Sequence, residues 1–231
     1  MIGVYNYTVI LTYLSMISAG CGIFATLAGQ GHPYVGCYFL LFCGLCDAFD
    51  GKVARMKKNR TDLERKFGIQ IDSLSDLVAF GVLPACIGGA LIRRSRLLPS
   101  VFAGESIWVR IGIGALYGLL VMFALAALIR LGYYNVTEEE RQKTEGGSRV
   151  FFTGLPVTSS ALIFPMILLF DFIIPHDITL VYIGFIVLTG LAFLSKIQVR
   201  KPGTRGVLVL IGIGICEAIA LFILRFFVFR P

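Results

Sequence analysis

Charge is scarce in this chain: 15% of its 231 residues are charged against 57% hydrophobic, and the mean hydropathy is +0.83. Soluble domains carry about a quarter charged residues, so a surface wetted on all sides is excluded and the solvent must be lipid. Long polar segments are scarce too. The longest polar insert runs from about Asn135 to Arg149, which leaves no room for a separate soluble domain and makes residues 1–231 one membrane-embedded unit. No disulfide framework is visible either. Cys21, Cys37, Cys43, Cys46, Cys86 and Cys216 all fall in apolar stretches and, apart from the short Cys43/Cys46 pair, lack metal-ligand spacing, so free thiols are expected. The two histidines, His32 and His176, sit in loops at opposite ends without a ligand constellation. No internal repeat of the kind found in secondary transporters appears. The first apolar stretch has no basic region before it and no small-residue cleavage site after it, so it should persist as a helix rather than act as a removable signal.

What the chain has in abundance is long apolar runs. Crossing a hydrocarbon layer of about 30 Å takes roughly 20 such residues, and stretches 4–28, 33–51, 69–92, 107–129, 152–173, 178–195 and 206–228 meet or approach that length. The expected fold is all-α, a polytopic helical bundle of about six to eight spans. The insert after the fourth span, Val136 to Lys143, has Thr137 placed to cap a short separate helix, with Glu140 three residues on. Glycines 112, 114 and 118, and again 206, 212 and 214, put small residues on helix faces and permit close packing, internal or between copies.

The net charge of +7 points to anionic lipid or phosphates rather than nucleic acid. Its distribution says more. With the N-terminus inside, fifteen of the 21 lysines and arginines fall on one side of the membrane, including Lys52 to Lys66 and Lys196 to Arg205. The positive-inside rule puts that side in the cytoplasm. Arg93, Arg94 and Arg96 oppose this orientation.

Chemistry concentrates between Asp47 and Asp76. Four aspartates interrupt apolar helices, where each costs roughly 2.5 kcal/mol or more near the bilayer centre and so needs partners or work to do. Asp47 and Asp50 are three residues apart, Asp72 and Asp76 four, so each pair shares one helix face. If the second and third spans pack antiparallel, the faces meet as a carboxylate cluster that must be protonated or filled with cations. Hard oxygen donors select Mg²⁺, Mn²⁺ or Ca²⁺, and Mg²⁺ suits phosphate substrates. Gly51, Ala54 and Gly68 keep the approach open, and Arg55 offers a forked pair of donors to a phosphate.

DxxDGxxAR followed by GxxxDxxxD, carried by Asp47, Asp50, Gly51, Ala54, Arg55, Gly68, Asp72 and Asp76, resembles the signature of the CDP-alcohol phosphotransferase family. The insert between Arg55 and Gly68 is about one helical turn longer than the family's common form. The resemblance implies a two-metal site, with Mg²⁺ or Mn²⁺ on Asp47, Asp50 and Asp72, while Asp76 joins them or deprotonates the acceptor hydroxyl. It implies that Gly51, Ala54, Arg55 and Gly68 cradle the cytidine diphosphate of CDP-diacylglycerol, with Thr12 and Ser15 of the first span as further nucleotide contacts. A homodimer and direct attack are also implied.

Within the family the resemblance is closest to bacterial and archaeal phosphatidylserine synthases, through Phe67 to Gly81, Arg130 to Asn135 and Phe151 to Pro156. L-Serine is then the expected acceptor, with Arg130 and Asn135 as candidates for recognising it at the cytoplasmic face of the cell membrane; for Arg130 the alternative is a snorkelling interfacial anchor. Glycerol 3-phosphate or an inositol phosphate is the alternative acceptor, since Lys57, Lys58, Arg65 and Lys66 could meet its extra phosphate. An ion-coupled transporter is the rival of another class, but a conduction path spreads ionisable groups through the membrane depth, and here they gather at one end. Glu217, alone in the last span, reads as facing a helix partner or held neutral.

Overall fold

The computed structural model describes residues 3–29, 31–57, 59–95, 98, 107–144, 151–172 and 177–225. They form α1 (Ile10–Leu27), α2 (Pro33–Met56), α3 (Asp62–Asp76), α4 (Leu83–Arg94), α5 (Ile107–Thr144), α6 (Ser160–Phe170), α7 (Thr179–Leu194) and α8 (Thr204–Ile223). A π-helical segment, Leu77–Val82, joins α3 to α4 in one rod from Asp62 to Arg94. Five helices are long and apolar enough to cross a membrane, and two shorter apolar ones, Val157–Phe170 and Thr179–Leu194, complete the set of expected spans. The all-α bundle is therefore observed. Two short strands, β1 (Phe151–Thr153) and β2 (Gln198–Arg200), pair antiparallel with Phe152 opposite Val199 and tie the entrance of α6 to the exit of α7.

With α3 and α4 counted as one rod, successive spans alternate in direction. At one end the Asn6 amide, ahead of α1, donates to Glu64 at the start of α3 (3.0 Å), and Asn135 near the end of α5 donates to Ser73 (2.8 Å). At the other end Arg93 reaches the Leu27 carbonyl, Arg94 the Gly31 carbonyl and Ser95 the Asp177 carboxylate. Lipid tails are as apolar as the side chains, so close approach rather than the hydrophobic effect holds such helices together. A side chain at Gly22 of α1 would begin 2.7 Å from Phe39 of α2, and one at Gly88 of α4 would begin 2.7 Å from Leu120 of α5. Phe123 packs edge-on against Phe164 at 5.5 Å, and Phe164 against Tyr182 at 5.1 Å, in the core shared by α5, α6 and α7.

Several expectations are corrected. The third helix starts at Asp62, a helical turn and more before residue 69, because Thr61 and Glu64 form a reciprocal capping box. That T-x-x-E signal was legible in the sequence. Residues 136–143 are not a separate capped helix: they continue α5, and Thr137 bonds back to the Tyr133 carbonyl inside it. Among the described residues a side chain at Gly114, Gly118 or Gly212 would meet no neighbour within 4 Å, whereas one at Gly214 would begin 3.3 Å from Leu162. The six cysteines are free, as expected, with Cys21 and Cys216 exposed. His32 precedes α2 as its N-cap residue, and His176 and Arg96 lie outside the described residues.

Widening of the α3–α4 rod has a covalent cause. Pro84 has no N–H and its ring collides with the carbonyl four residues earlier, so the turn before it opens. The Tyr182 hydroxyl donates to the Pro84 carbonyl (2.9 Å) and anchors the rod to α7.

Candidate metal and diphosphate site

Asp47 and Asp50 project from the last turns of α2, and Asp72 and Asp76 from the last turns of α3. Antiparallel packing turns the two faces toward each other: Asp47, Asp50 and Asp72 each present an oxygen within 4.8 Å of the others. Asp50 and Asp72 are within hydrogen-bonding reach, and the Gly51 N–H points at the Asp50 carboxylate. Asp76, one turn further along α3, is 9% exposed and stands outside this trio. It still feels the charges of Asp47, Asp72, Asp50 and Arg130.

No lysine or arginine among the described side chains forms an ion pair with any of the trio; the ion pairs there are Lys57–Glu64, Arg141–Glu138 and Lys143–Glu139. Three carboxylates so close repel one another unless protonated or bridged by cations. Half-buried hard oxygen donors from two helices suit a divalent ion of the Mg²⁺ or Mn²⁺ type, so the residues fit the expected metal site.

Around the acids the other candidates are only partly assembled. Gly51 and Ala54 are half-buried on α2 beside the cluster. Arg55 continues α2, but its side chain lies outside the described residues. Gly68 lies one turn before Asp72 on the same stripe, and a side chain there would begin 2.8 Å from Arg60 Nη2. Thr12 and Ser15 are buried on α1: the Thr12 carbonyl accepts from Ser75 (3.2 Å), and the Ser15 carbonyl accepts from Cys43 Sγ (3.3 Å). Both therefore line the seam behind the acids. Arg130 is 8% exposed, against Tyr134 with 5.1 Å from guanidinium carbon to ring centroid, so it is buried beside Asp76 rather than snorkelling into solvent. The Asn135 amide is engaged by Ser73, between Asp72 and Asp76. Glu217 is buried, and its oxygens have no hydrogen-bond partner; it does not join the acidic trio.

Sequence reasoning missed three features of this end. Glu64 gathers Lys57 (2.6 Å), Asn6 and the Thr61 N–H onto one carboxylate. The β1–β2 ribbon brings Phe152 to 5.8 Å from Tyr134, which in turn backs Arg130. The ribbon ends at Gly154, whose φ is +77° and where a side chain would begin 2.6 Å from the Phe193 carbonyl oxygen, so none is admitted. Arg60 over Gly68 is the third. Only the Thr-x-x-Glu spacing announced any of these contacts in advance.

Among the described residues, five helices long and apolar enough to cross a membrane and two shorter apolar ones, with an acidic trio at one end that could hold a metal ion, point to an integral membrane protein. The chain belongs to the CDP-alcohol phosphatidyltransferase family, whose model matches residues 5–194. It is 32% identical over 166 residues to the CDP-diacylglycerol–serine O-phosphatidyltransferase of Saccharomyces cerevisiae, covering 67% of this chain and 51% of that one. Its identity to the enzyme of that name from Helicobacter pylori strain J99 is 28% over 181 residues, covering 77% and 65%. With the archaetidylserine synthase of Methanothermobacter thermautotrophicus it shares 33% over 150 residues, covering 64% and 53%. The chain thus spans about half to just under two thirds of the length of these curated relatives. No solved structure matches it.

Proposed function

We propose that this chain transfers the phosphatidyl group of CDP-diacylglycerol to the hydroxyl of L-serine, giving phosphatidylserine and CMP at the cytoplasmic face of the cell membrane. The observation that carries the reading is the convergence of Asp47, Asp50 and Asp72 from two antiparallel helices, with Asp76 buried one turn beyond. Three relatives named for transfer to serine or for archaetidylserine synthesis support the acceptor. The same chemistry on glycerol 3-phosphate or an inositol phosphate is the alternative.

In the step itself the serine hydroxyl oxygen forms a bond to the lipid-bearing phosphorus, the phosphoanhydride bond to CMP breaks, and the hydroxyl proton leaves to a carboxylate. Divalent metal held by Asp47, Asp50 and Asp72 supplies charge neutralisation for the diphosphate and for the departing CMP. Asp76 is the base: it sits at the dry end of the carboxylate stripe, where a proton from the acceptor can be taken. Arg130, buried beside Asp76 and backed by Tyr134, supplies the fork for the serine carboxylate. Asn135 fixes Ser73 and with it the pitch of α3 between the two acids. Gly51 and Ala54 leave room for the diphosphate, and Gly68 leaves room for the Arg60 guanidinium beside it. CDP-diacylglycerol reaches the cluster sideways from the bilayer.

Detergent-solubilised protein given CDP-diacylglycerol and Mn²⁺ or Mg²⁺ is expected to release CMP when L-serine is added, and to stop when the metal is chelated. Release with glycerol 3-phosphate and none with serine would overturn the acceptor and keep the family chemistry.

A further inference from the structure

We infer that Arg60 is an additional anion ligand of the diphosphate cradle, supplied by the lengthened insert between Arg55 and Gly68. The inference rests on the nucleotide-diphosphate function proposed above. It begins with how the insert folds. Its extra residues let α2 run on to Met56 and start α3 at Asp62, and the short connection between them is pinned by the Thr61–Glu64 capping box. Glu64, the acid of this loop nearest to hand, is already used: its carboxylate accepts from Lys57 (2.6 Å), from the Asn6 amide (3.0 Å) and from the Thr61 N–H (3.1 Å).

Among the described residues Arg60 pairs with no carboxylate, neither Glu64 nor Asp62. Its Nη2 reaches the Glu64 backbone carbonyl only at 3.4 Å, and its Nε is shut off from solvent with no hydrogen-bond partner. A buried guanidinium donor without an acceptor is costly, and the forked geometry of the group matches the oxygens of a phosphate. Location selects the ligand. Arg60 Nη2 lies 2.8 Å from where a Gly68 side chain would begin, and Gly68, Asp72 and Asp76 fall four residues apart on one stripe of α3. The guanidinium thus caps the outer end of the stripe, about 6 Å of helix rise from the Asp72 position. An anion spanning from the carboxylate trio, which would hold the divalent ion, to Arg60 would need negative oxygens at both ends, as a nucleoside diphosphate has.

The test is equilibrium binding of CDP to the purified full chain in detergent with Mn²⁺. Arg60→Gln is expected to raise the Kd about tenfold, and Arg60→Lys to recover part of the loss because it keeps the charge without the fork. Thr61→Ala loosens the same loop without removing the guanidinium and is expected to stay within about twofold of wild type. A Kd for Arg60→Gln within twofold of wild type overturns the inference, and so does an equal loss in Thr61→Ala, which would make Arg60 a loop fastener. Absence of CDP binding by the wild-type chain overturns the proposed function and Arg60's part in it together.

Discussion

Aspartates gather at both ends of this bundle, and their company differs. At the end where α1 closes and α2 opens, Asp171 accepts a hydrogen bond from the Tyr34 hydroxyl and lies within the influence of Arg94. Nearby, Asp177 accepts from Ser95 Oγ (2.5 Å) and from the Thr179 N–H (2.9 Å), and Arg225 stacks over the Tyr34 ring at 5.6 Å. Protein groups satisfy those acids. At the opposite end Asp47, Asp50 and Asp72 face one another with no described cationic side chain in ion-pair contact. Like charges held together in this way call for protonation or for a bound cation. The same contrast explains Arg93 and Arg94, which seemed to oppose the cytoplasmic assignment of the acidic end. They cap the carbonyls of Leu27 and Gly31 and are accounted for by local structure.

If the contrast holds, substitutions at the two ends must fail differently. The largest effect is expected in the trio: Asp50→Asn or Asp72→Asn should lower the rate of CMP release by on the order of 10³-fold or more, since each removes a proposed metal ligand. Asp171→Asn should leave that rate within about threefold, and an equal collapse there would erase the distinction between the ends. Next comes Asp76→Asn, expected to cost about 10²- to 10⁴-fold in turnover while metal-dependent CDP binding remains measurable. Full activity in that variant removes Asp76 from the mechanism; loss of CDP binding makes it a metal ligand instead of a base. Smallest is Tyr34→Phe, which strips a hydrogen bond from Asp171 and should cost about 1–3 kcal/mol of stability. It should appear as a lower melting temperature with the KM for serine unchanged. A shifted KM there would mean that the two ends communicate.

The apolar helices, the approximate limits of most of them and the two carboxylate pairs were legible along the chain, because apolar run length and helical periodicity are local properties. The boundaries that failed did so for physical reasons. Asp62–Gly68 is too polar to read as a span, yet a capping box starts the helix there. Thr137 looked like a cap, but a helix already running through Tyr133 offered its hydroxyl a carbonyl first. Arg130 carried two readings in sequence, recognition of the acceptor or a snorkelling interfacial anchor. Only the fold shows that it is buried, with α5 laid against the end of α3.

By itself the sequence determined that the chain lives in lipid, that four aspartates lie in pairs on helix faces, and that their spacing is the family's. It could do so because each of these facts is written within a few turns of one helix. Tertiary structure alone decided that Asp47, Asp50 and Asp72 meet while Asp76 stands a turn behind beside Arg130, and that Arg60 folds back over Gly68. Those relations depend on the separation and rotation of packed helices, which glycine approaches, a proline-widened turn and a capped loop set jointly and no single segment encodes.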